Sequence, residues 1–339
     1  MQETNLDQPK AANIWPLIGN FLVKWGTYLT IVVLVIFFTI MTYDKSFDMY
    51  PFIKTSNVIQ ILRSISIVTV IAIGITISLT INGLDLSVGS VASLADSLII
   101  SAFVWYEFGL LPAIVFALFG AVLVGLANAF LIVKLRIPDL LATLSMLFII
   151  EGVAMTYTGG GSISEGMPNL DGTQTVGRLV PVFKELGLAP WIIIIMLVVV
   201  LVAHIFLNYT KHGRYLYVVG GNIEAARLSG IPVDKYRTLA YILAAFMSGL
   251  GGIMLAAKVG SSQINAGAGY LMPAVAAAYI GFSVGGSGKP NAIGTLTGAI
   301  LMGVLDNGLV MMSVPYYSIN IFKGAVLAIA LATTYFKKK

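Results

Sequence analysis

Stretches of about 20 mostly apolar residues, enough for a helix to cross a lipid bilayer, recur from one end of this 339-residue chain to the other. Inside lipid every backbone N–H and C=O needs an internal partner, so a chain built of such stretches folds as packed helices. Ten candidates are legible, at about 25–42, 64–81, 86–104, 110–133, 139–157, 190–208, 239–257, 270–285, 291–311 and 318–336. The second, third and eighth are short or interrupted by Gly and Asn. Charged residues make up 10% of the chain, against about 25% in soluble proteins. That excludes a cytosolic enzyme, a disordered chain, a collagen and a nucleic-acid-binding domain. There is no Cys, hence no disulfide framework, thiolate nucleophile or Cys-ligated metal. His204 and His212 are too few for a histidine metal site. No catalytic residue, bound metal or nucleic-acid partner is expected. The expected architecture is all-α and polytopic: one transmembrane domain over 25–339, preceded by a cytoplasmic segment 1–24. The first apolar run is longer than the core of a cleaved leader and lacks a small-residue cleavage site after it, so it reads as a spanning helix.

Basic residues set the orientation, because cytoplasmic loops are enriched in Lys and Arg. With the N-terminus inside, the cytoplasmic segments hold 13 of the 20 basic residues, among them Lys10, Lys24, Lys134, Arg136, Lys211, Arg214, Arg227, Lys235, Arg237, Lys289 and Lys337 to Lys339. The outer segments hold Lys45, Lys54, Arg63, Arg178, Lys184 and Lys258. An even number of helices places both termini in the cytoplasm. Two connecting segments are long: 158–189 is expected outside, 209–238 inside. The inner one contains a helix signature from Asn222 to Ser229, with an Asn cap, an acid in the first turn, and Gly230 and Pro232 as stops. Its Ala-Ala centre offers little apolar face for lipid, which favours a protein partner. Gly125 to Asn128 before Arg136-Ile137-Pro138, and Gly303 to Asn307 before Val314-Pro315, also suggest an inverted repeat.

Three stretches resemble the ribose-type permeases of ATP-binding cassette (ABC) importers. Asn82-Gly-Leu-Asp-Leu-Ser-Val-Gly-Ser90 is similar to their G-[IL]-D-L-S-V-G signature. Thr210 to Ile231, including Gly213-Arg214, Gly221-Asn222 and Ala225-Ala226, is similar to their cytoplasmic loop. Gly294-Thr-Leu-Thr-Gly-Ala299, with Gly303, Asn307-Gly308-Leu309 and Lys323-Gly324, completes a match running from about 55 to 335. The resemblance implies a vitamin B12 importer-like fold of about ten helices in a bacterial cytoplasmic membrane. It implies a homodimer, or a heterodimer with a second permease, around a central pathway. The partners it implies are ABC ATPase subunits, which carry the ATP and Mg, and an extracytoplasmic solute-binding protein. It places ATPase coupling on Asn222, Glu224, Ala225, Ala226, Arg227 and Gly230. Monosaccharides such as ribose are the implied solutes. The chain departs from the family pattern at Glu151, Asp306, Met272-Pro273 and Phe282, which bears on substrate more than architecture.

The chain itself lacks the means to hydrolyse ATP. Gly285 to Pro290 superficially resembles a phosphate loop, but Ser283 stands in the first Gly position and Pro290 replaces the Mg-binding hydroxyl. Polar residues within the apolar runs are costly and mark candidate pathways: Asn82, Asp85, Ser87, Asp96, Asn128 and Asn307. Asp85 reads equally as a cap for the third helix. Asp306 and Lys323 fall at the same expected depth of roughly 8–9 Å on consecutive helices, at 1.5 Å per residue, and are expected to form an ion pair. An alternative function is proton- or ion-coupled transport through Asp96 or Glu151 without an ATPase. Trp25, Tyr106, Trp191 and Tyr335 read as interfacial anchors.

Overall fold

The structure, a computed structural model, describes residues 15–46, 48–284 and 288–336. Lys10, Lys337 to Lys339 and the Gly285 to Ser287 part of the phosphate-loop lookalike lie outside them. The described residues form helices α1 (Trp15–Met41), α2 (Thr55–Thr80), α3 (Val88–Val104), α4 (Leu110–Ala129), α5 (Asp139–Tyr157), α6 (Pro181–Leu186), α7 (Trp191–Tyr209), α8 (Lys211–Gly221), α9 (Ile223–Leu228), α10 (Val233–Val259), α11 (Ala268–Ser283), α12 (Ala292–Met311) and α13 (Tyr316–Phe336). A π-helical turn, Phe130–Lys134, extends α4. No strand occurs among the described residues. Six helices are long and apolar enough to cross a membrane: α2, α4 with its π turn, α5, α7, α10 and α12. Trp25–Met41, Val88–Val104 and Ala268–Phe282 are shorter apolar helices.

Boundaries differ from expectation where polar residues sit inside helices. α1 begins at Trp15 rather than near 25, α2 at Thr55 rather than 64, and α10 at Val233 rather than 239. Gln60, Arg63, Lys235 and Arg237 are good helix formers, so a fall in hydrophobicity there does not end the helix.

Small residues decide the packing, since lipid offers no hydrophobic drive between helices and close contact must supply the attraction. Helix α3 is buried along its whole length. It lies against α10, where Gly252 meets the Ala92 carbonyl so closely that an added Cβ would lie 2.2 Å from it. Helix α4 buries a stripe, Ala113, Ala117, Ala121 and Gly125, that widens at its end to Val124, Asn128 and Ala129, and it exposes Leu111, Val115 and Phe119. The four-residue spacing places those alanines on one face. The packing of α2 to α5 recurs in α10 to α13. Helix α10 packs on α3 and α4 as α2 packs on α11 and α12, and α3 meets α4 and α5 as α11 meets α12 and α13. Gly125 on α4 faces α10, and Gly303 on α12 faces α2. The following turns match as well. Arg136 and Ser313 both have φ of 58° two residues before a proline. The next N–H closes each turn, Ile137 to Leu131 at 3.1 Å and Val314 to Leu309 at 3.0 Å.

Two partly buried non-helical segments pack against this bundle. Residues 81–87 join α2 to α3. Residues 260–267 join α10 to α11 and lie along α3 in step with its serines. Ser262 meets Ser97 at 3.0 Å, the Gln263 N–H donates to Asp96 Oδ2 at 3.2 Å, and the Gly267 N–H donates to Ser93 at 2.9 Å. Where such backbone is buried without helical bonds, protein groups must take up its hydrogen bonds.

Candidate functional site: a two-helix element beneath a broken helix pair

The connection from α7 to α10 is almost entirely helical. The sequence reading found only its second helix; α8 is an addition. Thr210 caps α8 by accepting the Gly213 N–H at 3.1 Å. The Tyr217 hydroxyl donates to the Pro290 carbonyl at 2.6 Å, tying α8 to the α11–α12 turn. Asn222 caps α9, its Oδ1 accepting the Ala225 N–H at 3.0 Å. Gly230, with φ of 74°, turns the chain into α10. Glu224 and Arg227 pair at 2.9 Å with both side chains largely exposed, so this i,i+3 pair contributes little stability.

One expected coupling residue is placed differently. Ala226 is fully buried against its own chain, with the Ile231 N–H closing on its carbonyl at 3.0 Å. Its small size serves internal packing, not a partner's approach. The exposed apolar residue of α9 is Leu228, 89% accessible. Asn222, Glu224, Ala225, Arg227 and Gly230 are all exposed.

Helix α9 stands between two cavities. One, of about 540 Å³, is lined by Asn82, Asn222, Glu224, Asp139 and Arg237 among others. The other, of about 450 Å³, is lined by Arg136, Arg227, Asp234, Asp139 and Arg237 among others. Their shared wall is a polar junction. Arg237 Nη2 donates to Asp139 Oδ1 at 2.7 Å, and the Tyr241 hydroxyl donates to Asp139 Oδ2 at 2.5 Å. This junction presses on the α2–α3 break. A Cβ on Gly83 would lie 2.4 Å from the Tyr241 oxygen and 2.7 Å from Asp139 Oδ2. The start of α10, immediately after α9, is thereby tied to the start of α5 and to the break. Asp139 and Tyr241 were not singled out from sequence, Arg237 was read only as a cytoplasmic basic residue, and Gly83 only as part of the break after the second helix. The two charges lie 98 positions apart, and no local pattern links them.

Within the break, Asp85, Ser87 and Asn128 form a buried chain. Asp85 Oδ1 accepts the Ser87 N–H at 2.9 Å and the Ser87 hydroxyl at 2.6 Å, while Asn128 Nδ2 donates to Ser87 Oγ at 2.8 Å. Asp85 therefore serves as a turn cap before α3. Asn82 is exposed, with φ of 58°. Asp96 is buried elsewhere on α3, against the 260–267 segment. Glu151 accepts from Asn265 Nδ2 at 2.5 Å. Asn307 is engaged by Asn57 in a reciprocal amide pair at 2.9 and 3.0 Å. Lys323 Nζ lies 2.8 Å from Asp306 Oδ1. The six pathway candidates are thus dispersed: Asp85, Ser87 and Asn128 at the break, Asn82 exposed at its edge, Asp96 and Asn307 apart.

At the other end of α7, segment 158–189 is held by Glu165. Its carboxylate pairs with Lys184 at 2.9 Å and accepts the Leu179 N–H at 2.6 Å. Burial pushes the Glu165 pKa up, but these two partners outweigh it and hold the carboxyl below the usual glutamate value.

An all-helical bundle with lipid-type outer faces, polar breaks in its interior and a capped helix pair at one end is the frame of a multi-pass membrane transport subunit. The chain belongs to the permease family described as the branched-chain amino acid transport system permease component, matched over residues 57–331. It is 35% identical over 283 residues to the ribose import permease protein RbsC of Escherichia coli, covering 83% of this chain and 86% of that one. To the ribose import permease of Haemophilus influenzae it is 32% identical over 324 residues, 95% of this chain and 96% of the other. The autoinducer 2 import system permease protein LsrC of Yersinia enterocolitica is 33% identical over 271 residues, 79% of this chain and 72% of its own length.

Proposed function

We propose that this chain is the permease subunit of an ABC importer that passes a small sugar of the ribose type into the cell. The carrying observation is α9. It is a rigid, doubly capped helix that presents Asn222, Glu224, Ala225, Arg227 and Leu228 outward and is tied through Arg237 and Asp139 to the α2–α3 break. An ATPase subunit receives that face, and its ATP-driven movement reaches the solute path through the junction. ATP and Mg are bound by that subunit. A solute-binding protein delivers the sugar from outside. Ten crossing helices, both termini in the cytoplasm and an inverted repeat of α2–α5 in α10–α13 complete the reading, with the vitamin B12 importer-like fold and a dimeric permease in the cytoplasmic membrane. The matched turns and helix contacts support the repeat. The ribose and autoinducer 2 import permeases among the relatives support a furanose-sized polar solute.

The test is capture of the tagged chain from its own membranes in mild detergent, with mass spectrometry of what accompanies it. An ABC ATPase subunit is expected. Recovery of a well-folded permease without one, under conditions that preserve a control ABC complex, would move the reading to gradient-driven transport through Asp96 or Glu151. Uptake would then collapse with a protonophore rather than with vanadate.

A further inference from the structure

The break between α2 and α3 contains an unbalanced set of polar atoms. Asp85, Ser87 and Asn128 are each 0% exposed. Ser87 Oγ joins them, donating to Asp85 Oδ1 at 2.6 Å and accepting from Asn128 Nδ2 at 2.8 Å. The other oxygen of each partner, Asp85 Oδ2 and Asn128 Oδ1, is buried and accepts no hydrogen bond. Five buried side-chain polar atoms are unpaired among the described residues, and only these two belong to side chains linked through one hydroxyl. The excess is one-sided: both atoms are acceptors, and Ser87 has already given its proton to Asp85.

Charge is unbalanced as well. None of the ion pairs among the described residues engages Asp85. The nearby Arg237 guanidinium is committed to Asp139 at 2.7 Å. The Ser87 N–H, 2.9 Å from Oδ1, brings the partial positive charge of the α3 N-terminus but not a full one. A buried carboxylate is stable when it is paired or holds a cation. A water molecule supplies donors without cancelling the charge. Turning the Asn128 amide exchanges its donor and acceptor but leaves the carboxylate equally uncompensated. One carboxylate calls for one positive charge, so a divalent ion would leave an excess. The side-chain atoms on offer are all oxygens, which suit hard cations rather than soft metals. Unwound backbone within a membrane bundle suits such a cation, because its carbonyls are free to add further ligands.

We infer that the α2–α3 break holds one monovalent cation, a proton or Na⁺, on Asp85 Oδ2 and Asn128 Oδ1. A proton is bonded to Oδ2 and donated to Asn128 Oδ1. Na⁺ is coordinated by both oxygens and by Ser87 Oγ. In either form the 81–87 segment is held at two points, through the cation to Asn128 of α4 and at Gly83 by Tyr241 and Asp139.

The test uses the full-length chain in nanodiscs at neutral pH, melted in Na⁺, K⁺ or N-methyl-D-glucamine chloride at equal ionic strength. Bound Na⁺ should raise the melting temperature by about 5 °C at a hundred times its dissociation constant. A bound proton should leave the three salts equal and give the infrared carbonyl band of a protonated carboxyl. Asp85→Asn should abolish whichever signal is present. Asn128→Leu keeps the carboxyl and removes its partner oxygen. It should raise the Na⁺ requirement severalfold, or move the carboxyl band to higher frequency as its hydrogen bond is lost. Equal melting in all three salts, with no carboxyl band lost in Asp85→Asn, would overturn the inference. So would a Na⁺ response that survives Asp85→Asn, or stabilisation by Mg²⁺ or Ca²⁺ exceeding that by Na⁺. None of these readouts involves transport, so the inference is decided separately from the importer reading.

Discussion

Gly83 shows how one residue sets a junction. It lies where the second helix has ended, and the Tyr241 hydroxyl and Asp139 carboxylate occupy the space a side chain would take. Gly83→Ala should therefore cost about 1–3 kcal/mol, the usual range for overpacking, read as a lower melting temperature of the detergent-solubilised chain. In a Tyr241→Phe background the penalty should fall without vanishing, because the contact with the Tyr241 oxygen at 2.4 Å is removed while Asp139 Oδ2 stays at 2.7 Å. An equal penalty in both backgrounds would show that the contact does not set the constraint. At this scale the sequence was partly legible. The Asn82-Gly83 break and the Asp85 turn followed from residue type, since Asp readily accepts backbone N–H groups ahead of a helix. The equal depth of Asp306 and Lys323 followed from helical rise. The Arg237–Asp139–Tyr241 junction did not, because it joins helix starts that only folding brings together.

Among elements, α9 carries the clearest division of labour. Its Asn222 cap was evident in sequence, and so were its stops, because caps and stops are local chemistry. Which side it turns outward was not, because six residues are too few for a periodicity to define a face. The structure turns Ala226 inward and Leu228 outward. Leu228→Asp should therefore abolish capture of the ATPase subunit and leave the permease's melting temperature unchanged. Ala226→Trp should lower the melting temperature, by forcing a large ring into a filled site. If Ala226→Trp kept full stability and lost only the ATPase, the inward assignment would be wrong. The element that sequence reading missed, α8, is short and only weakly apolar. It is fixed by the Thr210 cap and by the Tyr217 contact with Pro290.

Across the whole molecule, α9 runs directly into α10, whose Arg237 and Tyr241 hold Asp139 beside Gly83 in the 81–87 segment. Movement at the outer surface of α9 should reach the break through that connection. A single thiol at half-buried Leu86, introduced as Leu86→Cys, should react with maleimide at rates differing severalfold between nucleotide-free and nucleotide-trapped complexes. Adding Arg237→Met should erase that difference while the ATPase subunit stays bound. A nucleotide response that survives Arg237→Met would show that coupling runs elsewhere. The sequence by itself determined that this chain is a helical membrane protein, where most of its apolar helices lie and where its helices are capped or broken. Those properties depend on hydrophobic length, on backbone hydrogen bonding in lipid and on residues within a turn of each other. Only the tertiary structure decided which polar groups meet. Close packing of small residues on α3, α4 and α10 sets the distances between helices, and those distances bring Asp139 to Arg237 and Ser93 to Gly267.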